Sequence, residues 1–368
     1  MSPEKITRRD FLKKTIYTTG ALVGIGSIPG IVNEFTDVLP DDSIENLKVS
    51  PSFPLPQELR GLSMNSPFLH CFPEAQNSVI SDSLKAGVTN LRIFIDDAFE
   101  PTLGDYKNNV ISSIKNLHQN IASQTDTLHT IVSLYDAYGM TERLNLVHGR
   151  NKITSPYCDG SPEDYRKFFT DEKIKSRFLN RAKIIIESLG DTNVVSAWEV
   201  GNEFSPPAGE DGQAIFQDWF SAAAGSISKM DPAKRPIISG VARPWYIDER
   251  GFEGVGLINT IHIYPAPFIF NDFRDYLGRE DRRLPLFVEE IGFPGKLLEM
   301  NIPPSLVDAF YNNFLNMAIR SATFSKNLLA IDGLVPWKID GYEDGYPNPL
   351  NMPLTRETAV KFGSITKL

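Results

Sequence analysis

The sequence predicts an α/β protein, a (β/α)8 TIM barrel over residues 55–368. Three observations point there. Short apolar runs alternate with longer amphipathic segments from residue 55 onward, and there are eight such runs. The runs are continuously apolar rather than strictly alternating, as parallel strands buried on both faces are. The polar and acidic residues that stand out lie at the C-terminal ends of the runs, which in a barrel is the end that carries active sites. A doubly wound sheet is the rival arrangement.

Taken in order, the first run is Glu58–Met64, followed by a helical pattern over Ser78–Ala86. Asn90–Ile95 is the second, and the helix after it, Val110–Gln124, aligns Ile111, Ile114 and Leu117 on one face. Thr130–Tyr135 is the third run, and Glu172–Leu189 is the clearest amphipathic helix. Val194–Val200, the helix Ile215–Met230 and the run Ile237–Val241 come next. Thr260–Tyr264 and Leu286–Glu290 are separated by a polar stretch, and Ser305–Ala322 is helical. Gly333–Lys338 is the last strand, and Glu357–Phe362 opens a closing helix.

The bulk numbers restrict the partners. The formal net charge is -9, and residues 1–35 carry more basic than acidic side chains, so the remainder is more acidic still. An acidic body repels phosphate, which argues against nucleic acid or an anionic membrane and leaves neutral substrates open. The two cysteines, Cys71 and Cys158, allow one disulfide or two free thiols. No Cys/His cluster has metal-ligand spacing.

The N-terminus reads as an address. Residues 7–13, Thr-Arg-Arg-Asp-Phe-Leu-Lys, resemble the twin-arginine export motif, and an uncharged, glycine-rich stretch from Thr15 to Val32 follows. The expected organisation is therefore an export segment over 1–35, a linker over 36–54 and the catalytic barrel over 55–368, with a periplasmic or secreted location in a bacterium. Contact with a membrane is expected only if the N-terminal segment stays uncleaved.

Two strand ends carry the chemistry. Residues 196–204 read Ser-Ala-Trp-Glu-Val-Gly-Asn-Glu-Phe, an apolar strand closing on Asn202-Glu203. Residues 284–294 read Leu-Pro-Leu-Phe-Val-Glu-Glu-Ile-Gly-Phe-Pro, with two adjacent carboxylates. The first segment resembles the strand-four signature of clan A glycoside hydrolases, and the second the strand-seven motif of glycoside hydrolase family 5. The resemblance implies a retaining β-glycoside hydrolase acting on β-linked glucan or mannan through a covalent glycosyl-enzyme. That chemistry needs two carboxyl groups about 5–5.5 Å apart, one as acid/base and one as nucleophile, and no cofactor or metal. By the family pattern Glu203 is the acid/base, and Glu290, two before Gly292, is the nucleophile. Neighbours on a strand face opposite ways, so Glu289 is expected elsewhere, as in a salt bridge in the barrel–helix layer.

Five further positions fit the same resemblance as substrate-binding or supporting residues. Asn202 would hydrogen-bond a sugar 2-hydroxyl. Arg92, at the end of strand two, would hold the nucleophile ionised. His262 and Tyr264 match a His-x-Tyr on strand six, with the Tyr hydroxyl a donor to the nucleophile. Trp337, ending strand eight, would floor the sugar subsite. The chain departs from the pattern at strand three, where Tyr135-Asp136 stands in place of the histidine many relatives carry. Tyr135, Asp136, Tyr342, Glu343, Asp344 and Tyr346 are candidate cleft walls. Trp219 reads as core, and Trp245 as core or a second sugar platform. A transglycosidase, or a barrel that binds carbohydrate without cleaving it, would present the same residues.

Overall fold

The computed structural model describes residues 61–66, 69–71, 73–95, 110–137, 162–252, 254–263, 282–291, 333–336, 342–343 and 346–347, with a few isolated positions between them. The expected export segment, linker, strand-eight Trp337, Tyr264 and Cys158 lie outside the described residues.

Eight parallel strands form one curled sheet: β1 (Gly61–Asn65), β2 (Val88–Phe94), β3 (His129–Ser133), β4 (Val195–Glu199), β5 (Ile237–Ile238), β6 (Leu257–Ile263), β7 (Leu286–Ile291) and β8 (Gly333–Pro336). Their spatial order is their sequence order, and β8 returns to pair β1 through Gly61–Gly333 and Leu62–Leu334. A sheet in sequential order has no switch point, so the doubly wound alternative does not hold. The helices described are α1 (Pro73–Ala86), α2 (Ile111–Gln124), α3 (Pro162–Thr170), α4 (Glu172–Leu189) and α5 (Gly212–Met230). The architecture is a TIM-barrel-like α/β fold.

The helices follow from local sequence. Asp171 caps α4, its carboxylate accepting from the backbone N–H groups of Lys173 at 2.8 Å and Ile174 at 3.3 Å. The buried face of α4 is Phe178, Arg181, Ala182, Ile185, Ile186 and Leu189, a spacing of three and four residues. Phe216, Trp219, Phe220, Ala223, Ala224 and Ile227 make the same stripe on α5. Strand β5 stops earlier than its apolar run because Gly240 adopts φ 71°, outside the strand region.

Two apolar clusters separate inside from outside. The larger one joins strand residues such as Leu91, Trp198 and Leu286 to the helix faces. The smaller one, Leu59 just before β1 with Ile131, Ala197, Ile238, Ile258 and Phe287 from β3 through β7, fills the sheet interior. Two residues further along, the same inward phase brings Ser133 on β3, Glu199 on β4 and Glu289 on β7 to the C-terminal end.

Candidate active site

The site begins with an ion cluster inside the sheet. Arg92 of β2 donates from Nε to Glu199 Oε2 at 2.6 Å and from Nη2 to Glu199 Oε1 at 2.8 Å. Its Nη1 reaches Asn65 Oδ1 at 3.1 Å and its Nη2 reaches Asn202 Oδ1 at 2.9 Å. Glu289 Oε1 stands 3.1 Å from Arg92 Nε. Arg92, Glu199 and Glu289 are all fully buried. One cation between two buried carboxylates leaves a net charge the low-dielectric interior penalises, and a proton removes it. Burial, with the negative charge of Glu289 adding to it, pushes Glu199 up to about 8 against the pull of Arg92. Burial pushes Glu289 the same way, but Arg92 and the His262 hydrogen bond outweigh it and hold that carboxyl below the ordinary range. At neutral pH Glu199 carries the proton and Glu289 is ionised. Ser133 Oγ closes the shell by donating to Glu199 Oε1 at 2.7 Å.

Above this cluster lie Asn202 and Glu203, in the turn that follows β4. Asn202 is buried between strands: its Oδ1 accepts from Arg92, and its Nδ2 donates to Asp136 Oδ1 at 2.9 Å. Its backbone is pinned as well, with Asn202 N donating to Tyr135 O at 2.7 Å and Ala137 N donating to Asn202 O at 2.9 Å. Glu203 takes φ 57°, a left-handed conformation that a non-glycine residue adopts at some cost. Glu203 N donates to Gly240 O at 2.7 Å, which fixes that turn. Any side chain at Gly240 would collide with Gly201 O and the Glu199 carboxylate. The strand end is locked from behind by an aromatic cluster in which Phe204 packs on Tyr135, Phe168, Phe178 and Trp219.

His262 of β6 links the two levels. Its Nδ1 lies 2.9 Å from Glu203 Oε1 and its Nε2 lies 3.1 Å from Glu289 Oε2. Glu203 is the more open of these carboxylates, with 19% of its side chain exposed.

The structure therefore gathers Arg92, Asn202, Glu203 and His262 at one end of the sheet, as the motif order leads one to expect. The backbone of Glu290 pairs with His262 on β6, while its side chain, like Tyr264 and Trp337, lies outside the described residues. Two expectations are corrected. Glu289 is not in the barrel–helix layer: it is inside, on Arg92 and His262. Glu289 keeps the inward phase of Phe287, two residues before it, and the register shows where that phase stops. Ile261 faces Val288 and His262 faces Glu290, so Glu289 is an extra residue on β7. A bulge of this kind suspends alternation locally, so the inward carboxylate of Glu289 does not fix the direction of Glu290. Tyr135 is no cleft wall either; it is buried, stacked on Phe168 and Phe204, with the Arg181 guanidinium over its ring. Trp219 is core, as read, and Trp245 is half-buried with Arg243 at 5.6 Å from its ring centroid.

Sequence reasoning missed Glu199. The signal was available: a carboxylate inside an apolar strand is too costly without a partner. Among the described residues no group of three or more His, Cys, Asp or Glu side chains could hold a metal ion. Among them, too, no helix is long and apolar enough to cross a membrane.

No family model matches this sequence, and no curated protein matches it. Solved structures do. The endo-1,4-beta-mannanase from Rhizomucor miehei is similar with a TM-score of 0.59 at 14% identity, over 87% of this chain and 98% of that one. A GH5_18 protein from Bifidobacterium longum subsp. infantis is similar with a TM-score of 0.55 at 13% identity, over 84% and 79%. Endo-glycoceramidase II from Rhodococcus sp., solved as a lactosyl-enzyme intermediate, is similar with a TM-score of 0.52 at 12% identity, over 84% and 80%. At these identities the likeness shows the fold alone, and this chain shares the fold of these three proteins.

Proposed function

We propose that this chain is a retaining β-glycoside hydrolase on a complete (β/α)8 barrel, cleaving β-linked glucan or mannan. The observation that carries the reading is the placement of Glu203: a partly exposed carboxyl at the C-terminal end of a parallel strand, hydrogen-bonded to His262 beside the Arg92–Asn202 network. Glu203 protonates the glycosidic oxygen as the C–O bond breaks, and the ionised carboxylate of Glu290 forms the new bond to the anomeric carbon. In the second step Glu203 takes a proton from water, which attacks the same carbon and releases Glu290. On the family resemblance Asn202, His262, Tyr264 and Trp337 serve the sugar or the reacting carboxylates, with Arg92 hydrogen-bonded behind Asn202. The substrate is neutral, in keeping with the acidic body. Support for double displacement comes from the Rhodococcus relative, whose structure holds a lactosyl-enzyme intermediate. The twin-arginine-like start supports a periplasmic or secreted location.

The test is reducing-sugar release by the full chain from a panel of β-glucans and β-mannans, beside Glu203→Gln and Glu290→Gln. Release from one polymer, abolished in both variants, with an anomeric product of retained configuration, supports the reading and names the substrate. Full activity in Glu290→Gln would remove that residue as the nucleophile. Release of an inverted product would overturn double displacement.

A further inference from the structure

The link between Glu203 and the buried ion cluster has a consequence for the acid step. His262 has two ring nitrogens, each within hydrogen-bond reach of a carboxylate: Nδ1 of Glu203 at 2.9 Å and Nε2 of Glu289 at 3.1 Å. An ionised carboxylate only accepts. Glu289 sits on Arg92 and cannot donate, so the hydrogen of the Nε2 contact is on the ring. That leaves Nδ1 as the one ring position that exchanges a proton with Glu203 Oε1, and it leaves Glu203 Oε2 free for the glycosidic oxygen.

We infer, on the reading of Glu203 as the acid/base, that Glu289 is a positioning residue that fixes the Nε2–H form of His262 and keeps the Glu203–His262 pair loaded with the acid proton. Among the described residues, the titratable and charged groups around His262 are Glu203 from the turn after β4, Glu289 from β7 and, behind Glu289, Arg92 from β2 and Glu199 from β4. With Glu199 protonated, Arg92 and Glu289 form a neutral pair, and among the described residues it is the negative member, Glu289, that touches the ring at Nε2 while Arg92 stands behind it. A negative charge raises proton occupancy of everything near it. Removing it lets the pair deprotonate at lower pH. It also frees the ring to take the other tautomer, in which Nε2 no longer donates. Glu289 touches neither the substrate nor the bond being broken; it acts through His262. Alternation from the inward Phe287 puts the Glu289 carboxylate inside, one residue before Glu290.

The experiment compares the full chain with Glu289→Gln and Glu289→Asp on two substrates. One is the oligosaccharide that the wild type cleaves. The other is the dinitrophenyl β-glycoside of the same sugar, whose leaving group needs no proton. Glu289→Gln is expected to lose about 100-fold in kcat on the oligosaccharide. The loss on the dinitrophenyl glycoside is expected to be at least tenfold smaller, with KM little changed on both. The alkaline limb of kcat/KM should move to lower pH, and Glu289→Asp should recover part of it. Equal losses on both substrates would overturn the inference and point to a structural role. Equal losses accompanied by azide rescue to an inverted product would overturn it too, by making Glu289 the nucleophile. An unchanged leaving-group dependence would do the same. The tautomer is open to a check that needs no turnover: in 15N spectra of labelled histidine, assigned with His262→Gln, the ring should carry hydrogen on Nε2 in the wild type. A ring protonated on Nδ1 alone would sink the idea even in an inactive protein. A wild type inactive on every glycoside, with the Nε2–H form present, would instead count against the glycosidase reading.

Discussion

Arg92 and Glu199 meet fork to fork inside the sheet, Nε to Oε2 at 2.6 Å and Nη2 to Oε1 at 2.8 Å, with both side chains cut off from solvent. The pair is bidentate, the strongest geometry such groups have. Yet it is over-acidic, because Glu289 shares the same guanidinium. The cluster therefore depends on a proton held by Glu199, and that dependence should be visible in the stability of the whole protein.

Stability should pass through a maximum near neutral pH. Glu199 is raised to about 8, so between about 4.5 and 8 the folded protein binds a proton the unfolded chain has lost, and stability falls as pH rises. His70 and His118 are lowered to about 4 by burial, helped in His118 by the charge of His70. Between 4 and 6.5 the unfolded chain binds protons these two refuse, so stability falls as pH drops, by up to about 3 kcal/mol per histidine. Thermal midpoints measured from pH 4 to 9 should peak near pH 6.5. Glu199→Gln should flatten the alkaline side and, above about pH 4.5, steepen the acid side. An alkaline side unchanged in that variant would show that Glu199 is not the group responsible.

Asp231 should be the most sensitive position far from the site. Its buried carboxylate accepts from Trp198 Nε1 at 3.1 Å, from Arg235 N at 2.9 Å and from Arg235 Nη1 at 2.8 Å. Arg235 in turn donates to the carbonyl oxygens of Gly190, Thr192 and Val195, tying the end of α4 to β4. Asp231→Ala leaves the guanidinium and the indole without their acceptor and should cost about 3–5 kcal/mol in urea unfolding. A loss under about 1 kcal/mol would mean that water replaces the carboxylate.

The left-handed turn at Glu203 sets stability against activity. Glycine tolerates φ 57° without strain, whereas alanine does not. Glu203→Gly should therefore be more stable than Glu203→Ala by about 1 kcal/mol, with both inactive on substrates that need acid assistance. Denaturation curves of the two variants compare them directly. Equal midpoints would show that the turn relaxes when the carboxylate is gone.

Gly240 should tolerate no side chain. Its φ is 71°, and a Cβ there would meet Gly201 O and Glu199. Because Gly240 O accepts from Glu203 N, the displacement passes directly to the acid. Gly240→Ala is expected to cost about 2 kcal/mol or more and to lower kcat/KM by at least about tenfold, since a small misplacement of a catalytic group is enough. Wild-type kinetics in a correctly folded Gly240→Ala protein would refute the link.

Much of the architecture was legible in the chain. Eight apolar runs correspond to eight strands, most within a few residues, because a strand buried on both faces writes itself as a continuous apolar stretch. The faces of α4 and α5 were legible for the same reason at helical spacing. Asn202, Glu203, Arg92 and His262 stand together as the motif order implies. Two side chains were misread. Tyr135 looked like a wall residue because polar positions follow it, but three helices bring Phe168, Phe178 and Trp219 over that strand end, with Phe204 beside it.

What the sequence determined by itself is local: the period of each segment, the residue types at each strand end, and the order in which those ends occur. What only the tertiary structure decided is that Glu289 turns inward and what it meets there. Glu289 keeps the inward phase of Phe287, and a one-residue bulge against His262 then breaks the alternation, so spacing does not fix the direction of Glu290. Such a bulge depends on how β6 and β7 pair, and the partners of Glu289, Arg92 and His262, lie far away in the chain on other strands. Periodicity carries no information about register between strands, so the proton-holding cluster of Arg92, Glu199 and Glu289 exists only once the sheet has closed around it.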